Sequence, residues 1–449
     1  MRGAEFLREE WSVAWYLLRW ALWTIPLGIV TGSACALFLW LLDQATRQRE
    51  ALPWLLYLLP LAGAGVALVY HWWGRGSDKG NNLILDEIHE PGGGIPWQMA
   101  PLVLLGTLVT HLCGGSAGRE GTAVQMGGSF AGAIGRWLPW LSSHDHRLLL
   151  MAGVAAGFGG VFGTPVAGMI FALEVLTIGT LNYRALWPCL LAALVSDQVC
   201  LAWDIHHTVY RLSNSVLLVE GAPLAHWDLA IAGKVVVAGL VFGLVSRLFS
   251  HAAHRWQAFL KQWIAWPVFR PVVGGLLVIA LVFLLGSREY LGLGVSSANP
   301  HDTTILSAFQ PGGAEQLSWF WKLVFTVVTV SSGFKGGEVT PLFFIGATLG
   351  NTLAFWLDAP VELFAAMGFV AVFSGATNTP LACTMMGIEL FGSEYAAYYA
   401  AACFLAYLAS GHVGIYRSQR VGLPKGGRFG HEPQDGTGRP ASGETAAVS

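Results

Sequence analysis

Apolar runs recur along almost the whole chain, separated by short polar stretches rich in Gly, Pro and Ser. Residues 20–42 contain no charged side chain, and a helix needs roughly 20 such residues to cross a bilayer. Further runs cover 54–73, 100–113, 185–203, 227–245, 271–286, 323–332, 341–357, 363–388 and 396–410. Several are shorter than a crossing or are interrupted by Gly, Ser and Pro. Backbone broken at membrane depth is tolerated only where protein or a wet cavity surrounds it. The pattern predicts an all-α polytopic membrane protein in which some helices are discontinuous.

Composition agrees. Hydrophobic residues make up 54% of the chain and charged residues 12%, with a mean hydropathy of +0.55. A soluble domain carries about 25% charged residues, so lipid is the solvent this sequence calls for. The 56 glycines suit close helix packing in lipid. Many of the 20 tryptophans, among them Trp54, Trp72, Trp73, Trp137 and Trp140, stand at the ends of apolar runs as an interfacial belt. A formal charge of −2 says nothing about partners, and no nucleic acid is expected among them.

The six cysteines form no CxxC pair and read as small buried hydrophobes. The histidines show no metal-ligand spacing, and no cofactor is expected. His206 and His207 fall in a loop and are expected to be solvated. The opening segment, 1–19, is mixed in charge and is expected to be cytoplasmic. The first apolar run is too long for the core of a cleavable signal. The polar end, 417–449, reads as a disordered tail. Its Arg417, Arg420, Lys425 and Arg428 favour a cytoplasmic C-terminus. Between these ends, 20–416 forms the membrane domain.

Two blocks of the first half recur in the second. The segment from Ser116 aligns with that from Phe334 at an offset of 218, pairing Glu120 with Glu338 and Thr122 with Thr340. A later block aligns at an offset of 215, pairing Thr164-Pro165 with Thr379-Pro380 and Glu174 with Glu389. The chain therefore divides into repeat halves of approximately 20–203 and 227–416. Transporters built this way commonly have inverted halves, with substrate held where broken helices point their ends inward.

The chemistry concentrates in Gly118–Thr122 and in Lys335–Pro341. A glycine-flanked acid opening a helix leaves backbone N–H groups free at an anion-binding N-terminus. A carboxylate in that place competes with a free anion, and protonation releases it. One side chain thereby links anion occupancy to protons. Ionisable groups at membrane depth are functional candidates by default. Pairing with Arg119 is the competing role for Glu120, and pairing with Lys335 the competing role for Glu338. Glu174 and Glu389 each end an apolar helix and read as structural.

These motifs, GREGTAVQ, KGGEVTP and the two Gly-rich Thr-Pro helices, resemble the CLC family of chloride channels and proton-coupled anion antiporters. The resemblance runs from about residue 20 to 416. It implies a CLC-type fold of two inverted repeats with many tilted and discontinuous helices, no enzymatic activity, and a homodimer with one anion pathway per subunit. Where the chloride pattern has Gly-Ser-Gly-Ile-Pro, this chain has Gly80-Asn81-Asn82-Leu83-Ile84; a rival alignment on Gly92–Pro96 lies too close to Glu120. Thr122 replaces the usual proline after the glutamate motif. Val175 stands where typical antiporters carry their inner proton glutamate.

Such departures are similar to the fluoride-specific branch. By that resemblance Glu120 is the gating glutamate and Glu338 a second glutamate in proton coupling. Asn81, Gly118, Arg119, Gly121, Thr122, Val339 and Thr340 surround the anion, and Tyr416 is the inner-gate tyrosine. Fluoride is small and strongly hydrated, so its site must replace water with close donors, and Asn offers NH₂ donors with more reach than Ser. The implied function is fluoride/proton antiport out of the cell across the bacterial inner membrane. The alternative is a chloride/proton antiporter or passive chloride channel of the same fold. A membrane enzyme needs a polar catalytic cluster, and only His89 with Glu87 and Glu90 offers a start.

Overall fold

The computed structural model describes residues 2–138, 140–210, 212 and 229–426, with side chains from residue 10 onward. Much of the polar tail, 427–449, and most of the 211–228 segment lie outside the described residues. Among the described residues the regular structure is helical apart from one two-stranded pairing, as the apolar pattern required.

In the first half the helices are α1 (Arg2–Ala51), α2 (Leu59–Trp73), α3 (Asn81–His89), α4 (Met99–Leu112), α5 (Glu120–Trp137), α6 (Ser143–Phe162), α7 (Pro165–Glu174) and α8 (Leu186–Ala202). In the second they are α9 (Leu229–Trp263), α10 (Phe269–Leu285), α11 (Ser318–Ser331), α12 (Val339–Leu357), α13 (Val361–Thr377), α14 (Pro380–Phe391) and α15 (Ala396–Ala409). Helix α1 extends in both directions past the uncharged run, and the apolar run 363–388 is split in two. The split follows from Thr379-Pro380: proline cannot continue a helix but opens one well. Asn378 closes α13 at φ +59°, and Gly163 closes α6 at φ +71° at the equivalent place before Thr164-Pro165. Both residue types enter the left-handed region at low cost.

Hydrogen bonds show that the two Thr-Pro helices of the repeat run in opposite directions. Glu174, the last residue of α7, accepts from the Leu381 and Ala382 amides at the start of α14, at 3.1 and 2.9 Å. Glu389, near the end of α14, accepts from the Val166 and Ala167 amides at the start of α7, at 3.0 and 2.8 Å. Each carboxylate meets the positive end of its repeat-mate's helix, so α7 and α14 lie antiparallel about a pseudo-two-fold axis. The structural reading of these two glutamates matches this geometry. In both halves the next helix pair crosses glycine on glycine. A methyl added to Gly127 would stand 2.0 Å from the Gly153 carbonyl, and one on Gly346 would stand 2.0 Å from that of Gly368. Such contact is how lipid-embedded helices approach without a large side chain between them.

Strand β1 (Thr177–Ile178) pairs in parallel with β2 (Arg420–Val421). The start of α8 therefore lies on the same face as the chain's tail. The 17 residues of α8 rise about 25 Å and carry the chain across, so the loop from Trp203 lies at the opposite face. Helix α9 returns: His254 Nε2 bonds the Gly414 carbonyl at 2.8 Å. At the tail face, Lys425 Nζ bonds Asn378 Oδ1 and the Tyr407 and Gly411 carbonyls, tying residues 417–426 to the domain.

Candidate functional site

Three helix starts converge between the two halves. The motif loops before α5 and α12 join through an antiparallel backbone bridge, Gly118 N to Gly337 O at 2.5 Å and Gly337 N to Gly118 O at 2.8 Å. Helix α3 begins beside them. A methyl on Gly121 would stand 3.2 Å both from Asn81 Nδ2 and from Gly337 Cα. A side chain at this position would crowd both the Asn81 amide and the Gly337 backbone. The first amides of each helix have no partner within it, so the junction is a concentration of N–H donors and positive helix ends.

The Glu120 carboxylate fills that junction, with only 1% of the residue exposed. It accepts from the Thr340 hydroxyl at 2.5 Å, the Thr340 amide at 3.0 Å and the Arg119 amide at 3.1 Å. Arg119 Nε is 3.5 Å away. The carboxylate thus sits as a bound anion sits at a helix N-terminus. Its partner across the repeat behaves differently. Glu338 precedes α12 and is half-buried, and its carboxyl meets its own backbone amide, with no hydrogen bond or ion pair to any other described residue. Lys335, the cation nearest in sequence, stands 4.0 Å over the Tyr70 ring instead of pairing with it.

The remaining expected residues are distributed around this centre. Asn81 opens α3, and its Oδ1 is buried without a hydrogen-bond partner among the described residues. Val339 is buried in the first turn of α12. The Thr122 hydroxyl turns away from the carboxylate to Thr107 Oγ1 at 2.6 Å. Tyr416 is buried with its ring edge-on to Phe171 at 6.4 Å, within electrostatic reach of Glu338 and Glu120. Stacked aromatic rings brace the junction: Phe343 on Phe369 at 3.9 Å and Phe158 on Phe171 at 4.5 Å.

Cavities open on either side. At the tail face a cavity of about 600 Å³ is lined by Arg75, Lys79, Lys261, Arg270, Lys335 and Arg417, against only Asp78 and Asp86. Such an excess of positive charge concentrates anions at a mouth. Sequence reading missed most of this funnel because its members come from the ends of separate apolar runs. At the opposite face a small cavity of about 20 Å³ touches Glu120, Arg119 and Thr340. His207, Thr208 and Tyr210 from the loop after α8 close it over. His206 is solvated as expected, 76% exposed at the side chain, but His207 is not: only 14% of its side chain is exposed. The reason is local. The His207 ring seats on Gly163 at the end of α6, where an added methyl would be 2.4 Å from Cδ2.

Segments read as rivals are engaged elsewhere. The Gly92, Gly93 and Gly94 amides all donate to the Glu87 carboxylate, at 3.0, 3.1 and 2.9 Å. His89 Nε2 lies 3.1 Å from the Leu176 carbonyl, and Glu90 pairs with Arg420. Those three side chains face separate partners and make no catalytic cluster. All six cysteines are free and buried.

Comparison with known proteins agrees with this architecture. Residues 62–411 match the family described as voltage gated chloride channel. A protein of Pseudomonas syringae pv. tomato named "Chloride/fluoride channel protein" is 49% identical over 423 residues, 93% of this chain and 90% of its own length. A crystal structure described as a CLC-type fluoride/proton antiporter superposes with a TM-score of 0.83 at 36% identity, over 90% of this chain and 98% of that one. A slow cyanobacterial Cl⁻/H⁺ antiporter superposes with a TM-score of 0.73 at 19% identity, over 89% and 96%, a likeness of fold alone.

Proposed function

The chain belongs to the voltage gated chloride channel (CLC) family of multi-pass membrane anion transporters, and from that premise we propose that it exports fluoride in exchange for protons. The observation that carries the reading is the Glu120 carboxylate bound in an anion's place by the Thr340 hydroxyl and two backbone amides. Fluoride, as the ion, draws support from the 49%-identical relative named for chloride and fluoride and from the superposed antiporter's title.

In this reading, fluoride collects in the basic cavity at the tail face, which is the cytoplasmic side. It passes Asn81, Tyr416 and Glu338 to the junction of Gly118, Gly121, Val339 and Thr340. A proton arriving from the far side neutralises Glu120, whose hold on the N–H groups then weakens, because hydrogen bonds to a charged acceptor are the stronger kind. The carboxyl leaves and fluoride takes the vacated donors. Glu338, bonded to no other described residue and close to Tyr416, receives the proton for release inward, a role Val175 cannot fill. The protein acts in the bacterial inner membrane as a homodimer with one such pathway per subunit.

A passive channel is the second reading, since the same relative is named a channel. Proteoliposomes recorded together with a fluoride electrode and a pH electrode separate the two. Antiport predicts proton entry with every phase of fluoride efflux, and little chloride movement. Chloride moving as readily as fluoride overturns the ion; fluoride moving without protons overturns the exchange.

A further inference from the structure

The small cavity beyond Glu120 carries more hydrogen-bonding capacity than the protein itself uses. Both ring nitrogens of His207 are buried without a hydrogen-bond partner among the described residues. Its Nε2 is 3.7 Å from Asp197 Oδ1, beyond bonding length. Arg119, on the other wall, has its Nε buried without a hydrogen bond among the described residues, the Glu120 carboxylate being 3.5 Å away. Buried polar atoms in native structures are almost always satisfied, by protein, water or a ligand. Here the two residues that carry such atoms, Arg119 and His207, line one opening.

The opening is built, not accidental. At one end of the loop the Ile205 amide bonds the Cys200 carbonyl at 3.2 Å, so the chain turns sharply off α8. At the other, the Tyr210 ring is wedged against Phe309, Phe369 and Phe391 at 5.8, 5.3 and 5.8 Å. Between these anchors His207 is pressed onto Gly163. The enclosed volume of about 20 Å³ accommodates one water-sized species and no more.

We propose that this cavity is an outer binding subsite for a single fluoride ion, held by N–H groups of Arg119 and His207 beside Glu120. The inference rests on the reading that fluoride crosses at Glu120, and it adds where the ion pauses before leaving. Charge decides when the subsite fills. An ionised Glu120 repels an anion in the cavity, whereas a protonated one offers it an O–H donor. Occupancy therefore accompanies the protonated gate, so the outgoing ion is present as the proton goes in.

The test uses cells lacking other fluoride exporters, in which the full chain has one orientation. Fluoride efflux is followed with an electrode as external sodium fluoride is raised. In the wild type, external fluoride slows efflux saturably. His207→Ala raises the half-inhibiting external concentration about tenfold, the scale of one hydrogen bond to an ion. His207→Gln, which keeps an N–H donor, falls between the two. An unchanged half-inhibiting concentration in both variants while efflux continues means the cavity holds water only, and overturns the subsite. Absence of fluoride efflux in the wild type fells the transport reading instead.

Discussion

Two pairs of glutamates are related by the same repeat, and they differ in one respect. Glu174 and Glu389 keep the symmetry: each accepts two amides from the start of the other's helix, at distances within about 0.3 Å of one another. Glu120 and Glu338 break it. Glu120 is clamped by a hydroxyl and two amides, while Glu338 bonds its own backbone amide and no other described residue. A scaffold gains from symmetry because both copies meet the same demand. Transport needs an inside and an outside, so the groups that work must differ. The symmetric pair thus reads as structure and the asymmetric pair as function.

That contrast breaks if stability depends on the wrong pair. The largest effect is expected from Glu174→Ala and Glu389→Ala combined, which removes four charge-assisted bonds, roughly 4–6 kcal/mol out of a total near 5–15. Little monodisperse protein should then survive purification in detergent. Either single change should cost about 2–3 kcal/mol, the two being equal because their geometry is. Thermal midpoints read from tryptophan fluorescence check this, and a midpoint lowered by only one of the two would show the symmetry to be superficial. Thr340→Val removes one hydroxyl from the Glu120 carboxylate and should cost about 1–2 kcal/mol in the same assay. Smallest of all, Glu338→Gln should move the midpoint by less than about 0.5 kcal/mol, yet slow proton movement in proteoliposomes. A large loss of stability there would reassign Glu338 to the scaffold.

Much of this was legible in sequence because its cause is local. Apolar runs write out membrane helices directly. Thr164-Pro165 and Thr379-Pro380 mark helix starts by proline's own geometry, even where the uninterrupted run 363–388 hid the break before Pro380. The repeat offsets brought Glu120 into register with Glu338, and Glu174 with Glu389. Partner choice was not legible. Nothing near Glu174 in the chain announces that it caps α14, because that bond joins residues more than 200 positions apart. Likewise His207 looks like any loop histidine until α6 ends at Gly163 beneath it. The basic funnel was scattered for the same reason, its cations meeting only once α2, α9 and the tail share a face.

The measurement closest to the central claim is the number of protons carried per fluoride in Glu120→Gln and in Glu174→Gln, recorded in parallel proteoliposomes with fluoride and pH electrodes. The account predicts that Glu120→Gln moves fluoride without protons, whereas Glu174→Gln, wherever it folds, keeps the wild-type ratio. Coupling that persists without the Glu120 carboxylate, or vanishes with that of Glu174, would contradict it.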